Sequence, residues 1–167
     1  MAETPQSRLI RYIQDAHAAE VGITTVLKDF IAEIDNAQVK AVFQDHLMVT
    51  ESQAQRLEQR LVALGSGTSD GKGLINKIMG KAADLMHASH DTEDKTTLNL
   101  IKAYSTEHLE IGMYESMISY SEAIGDTQTA QLARQIQAEE QEAADKIFPL
   151  ITITAKAALN RTTVGVV

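Results

Sequence analysis

Apolar residues recur at spacings of three and four along four long stretches of the chain, the period of α-helices that turn one face inward. The first stripe is Leu9, Ile13, Ala16, Glu20, Ile23, Leu27, Phe30, Ile34, and the second Phe43, Leu47, Thr50, Ala54, Leu57, Leu61, Leu64. The third is Ala103, Thr106, Glu110, Met113, Met117, Tyr120, Ile124, and the fourth Ile136, Glu140, Ala143, Ile147, Leu150. Turn residues separate them: Asp35-Asn36, Gly65 and Gly125-Asp126. Helices are therefore expected from about Ser7 to Ile34, from the Asn36 turn to Gly65, from Thr96 to Ala123, and from Thr127 toward Phe148. Pro149 should kink or end the last one. Beyond it, Leu150 to Asn160 is expected to pack loosely and Arg161 to Val167 to fray, with Ile151-Thr-Ile-Thr the one alternation that suggests a strand.

Short turns make consecutive helices antiparallel neighbours, so the stripes form two hairpins. Between the hairpins lies Ser66-Gly-Thr-Ser-Asp-Gly-Lys-Gly73, flexible by composition, followed by Leu74, Ile75, Ile78, Met79, Ala82, Leu85 and Met86 at helical spacing. The expected architecture is all-α: one domain over residues 1–167, an antiparallel four-helix bundle with a crossover containing a short helix.

Three of the stripes contain a glutamate, which is costly to bury as an ion, by roughly several kcal/mol, unless it is paired, protonated or bound to a cation. Two of these acids belong to an internal echo, since His17-Ala-Ala-Glu20-Val-Gly22 lies ninety residues before Glu107-His-Leu-Glu110-Ile-Gly112. Counting equal distances from the turns puts Glu51 on the second helix level with Glu20, and Glu140 on the fourth level with Glu110. Glu51 flanks its stripe beside Thr50, while Glu139 and Glu142 are expected to face outward. Glu20, Glu51, Glu110 and Glu140 are thus candidate ligands from four helices, a donor set suited to an iron or manganese pair bridged by shared acids. The alternative is a metal-free core whose carboxyls are protonated or hydrogen-bonded by Tyr12, Tyr104 or Tyr114. By phase, His46 and His108 fall beside the stripes and read as surface residues, and the His87, His90, Asp91, Glu93 group reads as a solvated helix end.

Charge and composition narrow the partners. Acids outnumber bases 23 to 15, a formal charge of -8 that disfavours nucleic acid or an anionic membrane and favours cations. The absence of cysteine excludes thiolate metal sites, cysteine nucleophiles and disulfides. The opening MAETPQSR lacks a signal-peptide pattern and no apolar run is long enough to span a membrane, which together lead to an expectation of a cytoplasmic protein. Apolar positions outside the stripes, among them Val26, Ile31, Val42, Val62, Ile101, Ile111 and Ile118, favour pairing of two bundles as a homodimer.

Between Arg8 and Leu150 the chain resembles the YciF-like group of ferritin-like bacterial stress proteins, through Ala19-Glu20, His46-Leu47 to Glu51-Ser-Gln53, Glu107-His-Leu-Glu110 and Ala138-Glu-Glu140. The resemblance implies a ferritin-like fold, homodimerisation and a dimetal site. Ferritin-like sites place Glu-x-x-His on two of the helices, whereas here Ala54 follows Glu51 and Ala143 follows Glu140 at that spacing. His17, three residues before Glu20, and Glu107, its counterpart on the third helix, are further candidate ligands. The function expected is a stress-associated protein with a dinuclear iron or manganese site acting on oxygen or peroxide. The other reading is a non-catalytic, metal-free dimeric bundle with a structural or protein-binding role.

Overall fold

A computed structural model of the chain describes residues 3–69 and 92–164. The expected short helix after Gly73 and the His87, His90, Asp91 group lie outside the described residues, as does the side chain of Glu93. Four helices make up the fold: α1 (Pro5–Glu33), α2 (Ala37–Ala63), α3 (Thr92–Ala123) and α4 (Thr127–Val164). Among the described residues there is no strand.

The helix ends follow from local chemistry. Thr4 caps α1, its hydroxyl accepting the Ser7 N–H at 3.1 Å, and Pro5 occupies the first turn, where its missing N–H has no helical partner to lose. Asn36 caps α2 by accepting from the N–H groups of Gln38 and Val39 at 3.0 and 3.1 Å. Gly65 and Gly125 close α2 and α3 in the left-handed region, at φ of 74° and 80°. That conformation brings the Ser66 N–H back to Leu61 O at 2.9 Å and the Asp126 N–H to Ser121 O at 2.8 Å, as a left-handed cap does.

Of the two outcomes expected at Pro149, the helix does not end there: α4 continues through it to Val164, and the Ile151-Thr-Ile-Thr run is helical rather than a strand. Pro149 lies on the exposed face, and so does Asp145, whose carbonyl loses its helical donor and can turn to water. Beyond the proline, Leu150 and Thr154 are buried. Thr154 donates to Leu150 O at 3.0 Å and accepts from Thr97 on α3 at 2.8 Å, so packing carries the helix past its weak point.

Two apolar clusters fill the ends of the bundle. One gathers Ile23, Leu27, Phe30, Ile34, Val39, Phe43, Leu100, Ile147 and Leu150; the other gathers Leu9, Ile13, Leu57, Leu61, Tyr114, Met117 and Ile136. The start of α1 therefore lies beside the end of α3, and the end of α2 beside the start of α4, so the helices run up, down, down, up. At the second end Arg60 clasps Asp126 at 2.7 Å and Thr129 at 2.8 Å, tying α2 to the α3–α4 turn. Of the surplus apolar residues, Ile118 is in the core and Val26, Ile31 and Val42 pack against it, while Val62 is 66% exposed. No helix among the described residues is long and apolar enough to cross a membrane.

Candidate metal centre

Between the apolar ends lies a layer of buried polar side chains. Glu20 comes from α1, His46, Thr50 and Gln53 from α2, Glu107 and Glu110 from α3, and Glu140 from α4. Each lands there by helical phase: on α2 the buried series Val39, Phe43, His46, Thr50, Gln53, Leu57, Leu61 keeps the three-four spacing without a break.

One oxygen of Glu107, one of Glu140 and a ring nitrogen of His46 lie within 4.8 Å of one another. His46 Nε2 meets Glu107 Oε1 at 3.1 Å. Gln53 Nε2 donates to Glu140 Oε1 and, at 3.1 Å, to Glu139 Oε2, while the Tyr114 hydroxyl donates to Glu20 Oε1. Other polar atoms have no partner among the described residues, namely His46 Nδ1, Gln53 Oε1, Glu107 Oε2 and Glu110 Oε1.

Burial governs the protonation of this layer. It is the largest cause that raises Glu107 to about 7 and Glu140 to about 9, the latter raised further by its contact with Glu107. Glu20 and Glu110 are also raised well above the usual carboxylate range, by burial first and then by neighbouring acids. Burial lowers His46, which favours the neutral imidazole that a metal requires. Among the described residues no lysine or arginine is buried in the layer; Arg56 of α2 pairs with Glu139, and Lys146 of α4 pairs with Glu142.

The structure places the expected residues unevenly. Glu20, Glu110 and Glu140 are all buried and act on one another electrostatically, and Glu107 is buried with them. Glu51 does not join. It projects outward, 45% exposed, and pairs with Lys28 at 2.9 Å, because one residue past Thr50 is a rotation of roughly 100° away from the buried face. The member from α2 is instead His46, 5% exposed, which corrects the expectation of a surface histidine. His17 stays half-buried outside the layer, its Nδ1 without a partner among the described residues, and burial lowers its pKa. Glu139 is not free in water, since Arg56 Nη1 donates to it at 3.1 Å and Gln53 reaches it from within. Glu142 does face outward, paired with Lys146.

The donor set can be tested against the cation it would hold. Four carboxylates and a neutral imidazole are hard and borderline donors suited to divalent iron or manganese. If all four acids ionise, their charge of -4 balances two divalent ions. The oxygens of Glu107 and Glu110 that have no hydrogen-bond partner among the described residues are available acceptors. On these grounds the residues fit, with Thr50 and Gln53 as the fully buried polar pair on α2, where a ferritin-like site would place Glu and His.

Known proteins share this fold. Protein YciF of Escherichia coli K12 is 22% identical over 152 residues, covering 89% of this chain and 90% of its own. The crystal structure of the E. coli stress protein YciF superposes with a TM-score of 0.80 at 20% identity, covering 93% of this chain and 99% of that one. A protein from Xanthomonas campestris superposes at 0.78 and 22% identity over 95% of this chain and 98% of its own. A Bacillus anthracis structure described as a ferritin-like diiron-carboxylate protein reaches 0.71 at 14% identity, covering 90% and 99%. The family described as Domain of unknown function (DUF892) matches residues 4–160. With the match running along nearly all of the chain, this protein belongs to that family, and it shares its fold with YciF and with a ferritin-like diiron-carboxylate protein.

Proposed function

We propose that the buried layer binds divalent iron or manganese as a dinuclear centre, with His46, Glu107 and Glu140 holding one ion and Glu20 and Glu110 completing the second. The observation that carries this reading is the set of four buried carboxylates with no buried lysine or arginine beside them among the described residues, two of them with an unpartnered oxygen. Such a set is unfavourable alone and favourable around cations. The bound ions would supply redox chemistry toward oxygen or peroxide. This chain's residues would hold the ions, and Tyr114 and Gln53 would orient Glu20 and Glu140. Because burial raises Glu20 and Glu110 and lifts Glu140 to about 9, ion uptake should release protons.

A stress-related cytoplasmic role and a homodimer accompany this reading. The relative described as a stress protein supports the first, and the exposed Met48, Val62, Leu109 and Phe148 support the second. Light scattering should find about twice the 18.2 kDa chain mass; only the monomer at micromolar concentration would reject the dimer.

The second reading, a metal-free dimeric bundle with a structural or protein-binding role, is favoured by one feature. Gln53 and Tyr114 already donate to oxygens of Glu140 and Glu20 that ions would use. Elemental analysis of protein purified without chelator and then loaded anaerobically decides between the two. About two equivalents of iron or manganese per chain are expected, and none would leave the metal-free bundle.

A further inference from the structure

A groove of about 420 Å³ runs along the outer seam between α2 and α4, and among its walls are Val42, Asp45, Arg56, Glu139 and Lys146. His46 lines it too, although this histidine is 5% exposed and touches Glu107 in the buried layer. Behind the groove, Gln53 is fully buried and its amide joins Glu139, 34% exposed at the groove, to Glu140 inside. The carbonyl oxygen of Gln53 has no partner among the described residues. One layer of side chains, His46 and Gln53, thus separates the groove from the carboxylates. The opposite seam differs: between α1 and α3 there is a space of about 10 Å³, lined by Ile23, Val26, Leu27, Phe30 and Ala103 with Thr106 and Glu107. That space is about one-fortieth of the groove's volume.

We propose that the α2–α4 groove is the passage by which a divalent cation reaches the buried layer, with Glu139 as its first ligand and Gln53 as the side chain that closes the way. This rests on the metal reading of the layer. Arg56, donating two hydrogen bonds to Glu139, is the resident cation that an arriving ion displaces. Gln53 then turns its unpartnered carbonyl oxygen toward the ion and its amide away, an exchange that a glutamine makes by rotating one torsion. Glu140, Glu107 and His46 take the ion from it.

The test is the rate of Co(II) uptake by the full chain, mixed anaerobically and followed by visible absorption. Glu139→Gln, which removes the charge but keeps the hydrogen-bonding shape, should load about tenfold more slowly or worse, as loss of a steering charge does, and reach the wild-type final absorbance. Ser52→Trp, at an exposed groove position, should slow loading without touching the layer. Arg56→Gln should speed it. Wild-type rates in both Glu139→Gln and Ser52→Trp would overturn the passage while leaving the site intact. A final absorbance lowered in Glu139→Gln would instead make Glu139 a resident ligand and also reject the passage. A wild-type protein that takes up no Co(II) would remove the site and the passage together.

Discussion

The ends of this bundle and its middle are built on opposite terms. At one end Phe30 and Phe43 stack with ring centres 5.7 Å apart among aliphatic side chains, and at the other Leu9, Ile13, Leu57 and Leu61 are fully buried. Between them the same helices, in the same phase, present Glu20, His46, Gln53, Glu107, Glu110 and Glu140 to one another. The ends gain from leaving water; the middle loses, because raised carboxyls and unpartnered oxygens are what remains when acids are buried without cations. The difference teaches that the middle is not there for stability, and that the two apolar ends allow the bundle to stand in spite of it.

The sharpest way to break this comparison is to make the same kind of change in each region. Phe43→Ala, at the apolar end, should cost about 3–5 kcal/mol by denaturant unfolding, the usual cost of emptying a buried aromatic site. In the layer the sign should reverse. Glu110→Leu, which orphans no hydrogen-bond donor found among the described residues, should stabilise the metal-free protein at pH 7 by roughly 1–4 kcal/mol. A loss there would show that the carboxyl is satisfied in a way the ends-and-middle contrast does not include.

The same contrast should appear in pH. Glu107 and Glu140 are raised from 4.5 to about 7 and about 9, so each binds its proton more tightly folded than unfolded. Their contribution to stability is complete below about 4.5 and is lost as pH rises through about 7 and then about 9. Metal-free protein should therefore melt at progressively lower temperature from pH 6.5 to 9, and saturating Mn(II), which needs the ionised acids, should flatten that fall. An upward slope without metal would contradict the burial of ionisable groups. Smallest of all should be the effect of Glu51→Ala, which removes a pair with Lys28 that is about half exposed on both sides and should cost about 1 kcal/mol or less.

Most of the fold was legible because apolar spacing specifies helices and short turns specify hairpins. All eight positions of the α1 stripe are buried, as are Ile136, Glu140, Ala143, Ile147 and Leu150 on α4. The site was only half legible, for a reason visible on α2. A search for apolar residues steps from Phe43 to Leu47 and from Thr50 to Ala54, passing over the polar residues that hold the true phase, His46 and Gln53. The unbroken spacing from Val39 through Phe43 to Thr50 and Leu57 was the signal that would have found them. Counting from the turn said nothing of the direction of Glu51 around the helix, which points it outward to Lys28. On α3 the buried face takes Tyr114 and Ser121 where the stripe expected Met113 and Tyr120, so it drifts by a residue as the helix lengthens. Pro149 misled because its local cost is real, and only contacts from α3 to Thr154 show that it is met.

The central claim is that the buried acids and His46 hold a cation, and the shift in melting temperature on adding Mn(II) tests it most directly. Wild type and Glu51→Gln should both gain, by about 2.7 kcal/mol at a hundredfold excess over the dissociation constant. Glu107→Gln keeps the size of the side chain and its contact with His46 but removes the ligand charge, and it should lose most of that gain. Equal gains in all three proteins would place the ion elsewhere, and no gain in wild type would leave the layer without its cation; either result contradicts the account.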